Sequence, residues 1–315
     1  MLKDIRFSLV SLLRNIYSSI AAKQTEQIKN TLGYILVNNQ KAKNLENNYL
    51  WDKEFKVYSQ FGEDGILTYL CQNLQIHQPN IMEIGTGNFL ECNSRFLCEI
   101  FNAKLVAVDG KSELVKTLNG LDINWKTTIH PLVKWVNSGN IVEIVDFAKD
   151  KLGNIDILSI DLDGIDYWVA EKIDVKDMKI IIAEYNPLFG YNFSVTIFDD
   201  PAFVRSKKHF SELFYGASLP AFIDLFEKQG FKFIGTNHVG HNAFFCNEKE
   251  LDKIKIRIPN LMEIQNMVGW NVRDGKNRKG KLEYISGNER LEMIGDLEVL
   301  NLQTRKSMLV KNLYN

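Results

Sequence analysis

The chain has 315 residues, 45% of them hydrophobic, with 38 Lys and Arg against 39 Asp and Glu and a formal net charge of -1. That length suffices for one sizeable α/β core plus extensions, and the balanced charge argues against nucleic acid as a partner. The densest basic patch, Arg273 to Lys281, has no interleaved aromatics and reads as a solvated loop. The four cysteines form no Cys-x-x-Cys pair and no zinc spacing, so they read as free thiols of a reducing compartment. No run reaches roughly 18 apolar residues, and Phe7 to Leu13 is too short for a secretory leader. The expectation is a cytoplasmic protein.

Residues 1–50 are read as a helical extension, 51–250 as the main domain and 251–315 as a C-terminal appendage. Leu2, Ile5, Leu9, Leu12 and Ile16 fall on one helix face, with Lys3, Arg6 and Arg14 off it. Two readings stand for that stripe. One is peripheral contact with the inner membrane face; the other is packing on its own domain or on a second copy in a homo-oligomer. A further helix is expected to carry Ile28, Leu32, Ile35 and Leu36.

From about residue 55 strands alternate with helices. A helix is expected from Gly65 to Leu74, then a strand over Asn80 to Ile84 and a helix near Asn93 to Phe101. Lys104 to Val108 reads as the next strand, Ile141 to Lys151 as a helix, and Ile155 to Leu162 and Lys179 to Ala183 as two more strands. Such alternation implies crossovers and a parallel, Rossmann-like sheet. Pro187 to His209 is a long irregular insertion whose Phe189, Tyr191, Phe193 and Phe198 suit a lid that excludes water. Ser211 to Lys228 reads as a helix. The strands Phe231 to Gly235 and Asn242 to Cys246 are too close for a parallel crossover, so they form a hairpin and the last strand runs antiparallel. A final helix is expected near Arg290 to Leu300.

Glu83-Ile84-Gly85-Thr86-Gly87-Asn88-Phe89 stands where the first strand turns into a helix. Glycines there permit a tight turn and close approach of a ligand. Asp109, 24 positions past Gly85, ends the following strand, where an acidic side chain holds ribose hydroxyls. Phe89 and Leu90 fill the place of the third glycine of a dinucleotide fingerprint. That disfavours nicotinamide and fits a nucleoside cofactor without phosphate. Glu83 reads either as a cap for local amides or as a support that fixes the cofactor loop.

Asp161, Asp163 and Asp166 cluster at the end of one strand, and Glu184 and Asn186 end its neighbour. Carboxylates so close repel unless protonated, hydrogen-bonded or neutralised. One reading is a Mg or Mn ion held by Asp163 with Glu184 or Asn186, which would activate an acceptor hydroxyl. In the other, Asp161 serves the cofactor side and Asp163 and Asp166 cap a helix. His241, in the hairpin turn, is a candidate base. Tyr215, beside Gly216, is a candidate acceptor contact.

Taken together, Ser59 to Leu67, Glu83 to Gly87, Asp109-Gly110, Ser159 to Tyr167, Glu184-Tyr185-Asn186, Tyr215 to Leu219 and Asn242 to Phe245 resemble bacterial class I methyltransferases of the FkbM-like group, associated with surface-polysaccharide genes. The resemblance spans about residues 55–247. It implies S-adenosylmethionine as cofactor, met by Gln60, Glu63, Glu83, Gly85, Thr86, Gly87, Asp109, Gly110 and Asp161, with catalysis by Asp163, His241 and Tyr215. The acceptor implied is an oxygen of a glycan or small metabolite. The rival readings are a noncatalytic binding or scaffold protein of the same fold, and an NAD-linked oxidoreductase.

Overall fold

The computed structural model describes residues 2–42, 48–121, 123, 125–267, 275–283 and 287–314. Residues 1–44 and 45–315 form two separate units. The first is one helix, α1 (Leu2–Ala42), where two were expected. No glycine or proline interrupts residues 2–32, so nothing in that stretch ends the helix. The side chains of Leu2, Ile5, Leu9, Leu12 and Ile16 lie outside the described residues; Ile28, Leu32 and Ile35 are exposed. No described helix is long and apolar enough to cross a membrane.

The second unit runs α2 (Glu63–Asn73), β1 (Asn80–Ile84), α3 (Arg95–Phe101), β2 (Lys104–Asp109), α4 (Glu113–Gly120), β3 (Ile129–Val133), α5 (Ile141–Leu152), β4 (Ile157–Ile160), α6 (Asp166–Glu171) and β5 (Ile180–Glu184). There follow β6 (Val195–Thr196), α7 (Arg205–Lys208), α8 (Leu219–Glu227), β7 (Phe231–Thr236), β8 (Asn242–Asn247), α9 (Leu261–Met267), α10 (Asn288–Ile294), β9 (Glu298–Asn301) and β10 (Ser307–Leu309). Seven strands form one sheet in the order β3-β2-β1-β4-β5-β8-β7. Strands β1 to β5 pair in parallel, and β8 runs antiparallel between β5 and β7. This is the mixed α/β sheet that the alternation and the terminal hairpin anticipate.

The central strands β1, β2, β4 and β5 are largely apolar because both faces of the sheet are covered there. Met82, Ile84, Val106, Leu158, Ile160 and Ile181 pack into one hydrophobic cluster; their neighbours Ile81, Leu105, Ala107, Ile157, Ile180 and Ile182 pack into another across the sheet. Register matters more for function. Ile84 pairs with Val108 on one side and with Ile160 on the other, and Ile160 pairs with Ala183. The next residues, Gly85, Asp109, Asp161 and Glu184, therefore emerge side by side at the carboxyl edge.

Three expected elements differ. The helix expected from Ser211 begins only at Leu219. Gly216 sits at φ +68°, which breaks any helix through it, and the Ser218 hydroxyl caps the Ala221 amide at 3.4 Å. The helix expected over 290–300 stops at Ile294, and 298–301 instead forms β9, which pairs with β10 and with β6 of the long insertion. The insertion is therefore not a free lid. Phe189 and Tyr191 are buried in the main core with Val299, Val310 and Leu313, and Phe193 is packed against it.

Candidate functional site

A cleft of about 630 Å³ opens along the carboxyl ends of β1, β2 and β4. That is a normal size for a small-molecule site, and it lies where ligands bind in open α/β sheets.

One wall is the loop after β1. Gly85 has φ +87°, and a Cβ there would clash with the Asp161 carbonyl oxygen, so only glycine lets the ends of β1 and β4 meet. Gly87, at φ +62°, has open space where its Cβ would be, and its amide donates to Asp109 Oδ2 at 2.8 Å. The other Asp109 oxygen accepts from the Lys111 amide at 2.7 Å. Gly110 lies under the Trp135 ring, 3.0 Å from where a Cβ would sit. Gly85, Gly87, Asp109, Gly110 and Trp135 all line the cleft.

Two residues assigned to the cofactor turn inward instead. The Thr86 hydroxyl is buried and donates to the carbonyls of Glu83 and Val108 at 3.1 and 3.3 Å. The buried Glu83 carboxylate accepts from the amides of Asn93 and Ser94 at 2.8 and 3.0 Å, at the start of α3. Burial raises the Glu83 pKa, and these bonds oppose the rise. Both residues shape the loop from behind.

The opposite wall is acidic. One carboxylate oxygen each from Asp161, Asp163 and Glu184 lie within 4.8 Å of one another. Burial first, then the neighbouring Asp163 and Asp166, push Asp161 well above the usual carboxylate range. Burial, then Asp161 and Asp163, do the same to Glu184. Asp163 is exposed at φ +54° and ion-pairs with Arg205, whose guanidinium lies 3.7 Å from the centre of the buried Tyr215 ring and also donates to the Glu212 carbonyl. Asp166 is a loop-former: it accepts from the Leu162 and Gly164 amides at 2.6 and 2.9 Å, and burial lifts its pKa to about 6.

Asn186 does not join this group. Its amide nitrogen donates to the Leu213 and Tyr215 carbonyls at 2.9 and 3.0 Å, and its oxygen accepts from the Leu188 amide at 3.0 Å. A side chain so committed to backbone has little left for an ion, and Asp161 stands where Asn186 was expected.

His241 and Tyr215 are not among the residues lining the cleft. The buried His241 ring stacks on Phe61, centroids 5.8 Å apart. Tyr215 is buried, with the Arg205 guanidinium over its ring. Gln60 is exposed and away from the cleft lining. Glu63 is fully buried and clamps the hairpin turn, accepting from the Asn237 and Asn242 amides at 2.7 and 2.9 Å. Asn237 and Asn242 are turn-shaping residues on this geometry.

Arg205 and Trp135 escaped the sequence reading. Both line the cleft, Arg205 as part of a strap, residues 199–206, that also supplies Asp200, Pro201, Phe203, Val204 and Ser206 to the lining. Trp135 Nε1 donates to the Pro201 carbonyl at 2.9 Å, Ser138 donates to Asp199 at 2.6 Å, and Phe203 packs on Gly164. The part of the insertion that lines the cleft is thus within Asp200 to Ser206, not the aromatics Phe189, Tyr191, Phe193 and Phe198.

No protein-family model matches the chain, and no curated protein does. Solved structures with a resembling backbone include a fibrillarin pre-rRNA processing protein from Methanococcus jannaschii (11% identity, 54% of this chain and 66% of that chain, TM-score 0.35). A putative O-methyltransferase from Klebsiella pneumoniae aligns at 13% identity over 56% of this chain and 76% of that one, TM-score 0.32. A DUF574 family protein from Streptomyces avermitilis aligns at 12% identity over 41% of this chain, TM-score 0.31, and the chain spans about half (54%) of its length. Likenesses this distant carry no argument about function, which rests on the strand order, the cleft and the motifs.

Proposed function

We propose that the chain transfers a methyl group from S-adenosylmethionine to a hydroxyl oxygen of a saccharide or related small molecule, in surface-glycan synthesis. The observation that carries this reading is the sheet order with β8 antiparallel, which is the class I methyltransferase layout, joined to a cleft floored by Gly85, Gly87 and Asp109. The residues present fit that cofactor. Gly87 leaves open space on the loop, and Asp109 presents a carboxylate at the station for ribose hydroxyls. Trp135 offers a half-exposed indole face for a base. Phe89, buried at φ +66° just beyond the loop, is unlike the open glycine that a pyrophosphate needs.

When bound, S-adenosylmethionine supplies an electrophilic methyl group on a positively charged sulfur. The chain's part is to align and to exclude water. The Gly85–Gly87 loop is held rigid by Glu83, Thr86 and Asp109, so it need not reorganise around a ligand. Asp200, Pro201 and Phe203 to Ser206 of the strap line the cleft. Asp161 lines the cleft beside the buried Glu184, and this crowded pair retains a proton above the usual carboxylate range. The acceptor class is what the resemblance of the whole motif set to the FkbM-like group implies.

Calorimetry with S-adenosylmethionine, S-adenosylhomocysteine and NAD tests the reading. Binding of the two sulfur nucleosides and not NAD is expected; absence of both would remove it. Binding without turnover on any saccharide panel would favour a noncatalytic scaffold.

A further inference from the structure

The acidic wall contains a charge problem that the polypeptide leaves open. Glu184 is 8% exposed, and its Oε2 has no hydrogen-bond partner. A buried carboxylate oxygen without a donor is costly; Asp161 shares a side-chain hydrogen bond with Glu184, and Asp163 adds a third carboxylate beside them. Arg205 ion-pairs with Asp163 and acts on Glu184 by charge alone, and it is tied to the Glu212 carbonyl and the Tyr215 ring. Asp161 and Asp163 face the cleft, so the space between the three carboxylates is reached from the ligand side.

We propose that Asp161, Asp163 and Glu184 are the ligands of one hard divalent cation of the magnesium or manganese kind. The donors are all oxygens, which select such ions over zinc or copper. Three protein oxygens leave about three positions of an octahedron for water or for oxygens of a molecule in the cleft. The ion would cancel the mutual repulsion of the three groups and give Glu184 Oε2 a partner. Orienting an acceptor hydroxyl and lowering its pKa would be its chemical task. That task rests on the methyl-transfer reading; binding of the ion does not.

The test is titration of MnCl₂ into the full chain in chelator-stripped buffer, following loss of the free-ion electron paramagnetic resonance signal. It is repeated with Asp163→Asn, Glu184→Gln and Arg205→Gln. One ion per wild-type chain is expected. Removing a ligand is expected to cost at least the ~10-fold in affinity that even an outer-shell partner is worth. Arg205→Gln removes the competing cation and is expected to tighten binding. Asp163 is exposed, so Asp163→Asn keeps the test intact should Glu184→Gln fail to fold. No binding by the wild type at millimolar Mn, or equal affinity in wild type and Asp163→Asn, overturns the site. S-adenosylhomocysteine calorimetry on the same samples separates the two ideas: a chain that binds the nucleoside but no Mn loses only the ion.

Discussion

The two walls of the cleft are built on opposite principles. On the β1–β2 side the charged groups are answered by backbone amides: Glu83 by Asn93 and Ser94, Asp109 by Gly87 and Lys111. On the β4–β5 side carboxylates face one another, one buried oxygen has no partner, and the neutralising cation Arg205 comes from a strap 42 positions away. A wall of the first kind is rigid whether or not a ligand is present. One of the second kind responds to whatever charge enters the cleft, and that is where chemistry is expected.

Substitutions should separate the two walls. The largest effect is expected from Gly85→Ala, which combines a positive φ with a backbone clash against Asp161. A loss of about 4 kcal/mol or more is expected, read by denaturant unfolding, and a near-wild-type midpoint would show that the strand ends can part. Glu83→Ala strands two buried amides and should cost about 1–3 kcal/mol in the same measurement.

On the acidic wall the expected signature is pH dependence. Because the folded-state pKa of Glu184 is raised, its contribution is fully present below the unfolded value of about 4.3 and is lost as pH rises towards the folded pKa. Thermal unfolding in EDTA should therefore show wild-type stability falling with pH above that point, and Glu184→Gln should remove up to about 1.4 kcal/mol per pH unit of that slope. Parallel curves for the two proteins would deny that the pair titrates in the folded state. The smallest effect on folding is expected for Asp109→Asn, under about 1 kcal/mol, since one amide acceptor survives. Its calorimetric affinity for S-adenosylhomocysteine should nonetheless fall ~10-fold, as a charge-assisted bond becomes neutral.

Much of the sheet was legible because its strands are continuous apolar runs punctuated by Gly85, by Asp109-Gly110 and by acidic ends. β3 was not. Ile-His-Pro-Leu-Val carries a proline and a histidine and is half exposed, as suits a strand at the sheet's edge. The β6–β9–β10 sheet was hidden because strands of two to four residues have no readable period. At the site, residues that end strands were found because strand ends are visible in the sequence. Their directions were not: Thr86 and Glu83 turn inward, Asn186 turns to backbone, and Asp161 faces Glu184. Arg205 had no local signal, since its meaning comes from Asp163 on a different element.

The Glu63 clamp has a consequence for biosynthesis. Glu63 lies at the start of α2, while its donors Asn237 and Asn242 lie 174 and 179 positions later. During translation the early carboxylate must wait, buried partners absent, until the β7–β8 hairpin has left the ribosome tunnel. Contacts that span so much of the chain form late. The second unit is thus expected to lock in a single terminal step, with shorter nascent chains left open to proteases and chaperones.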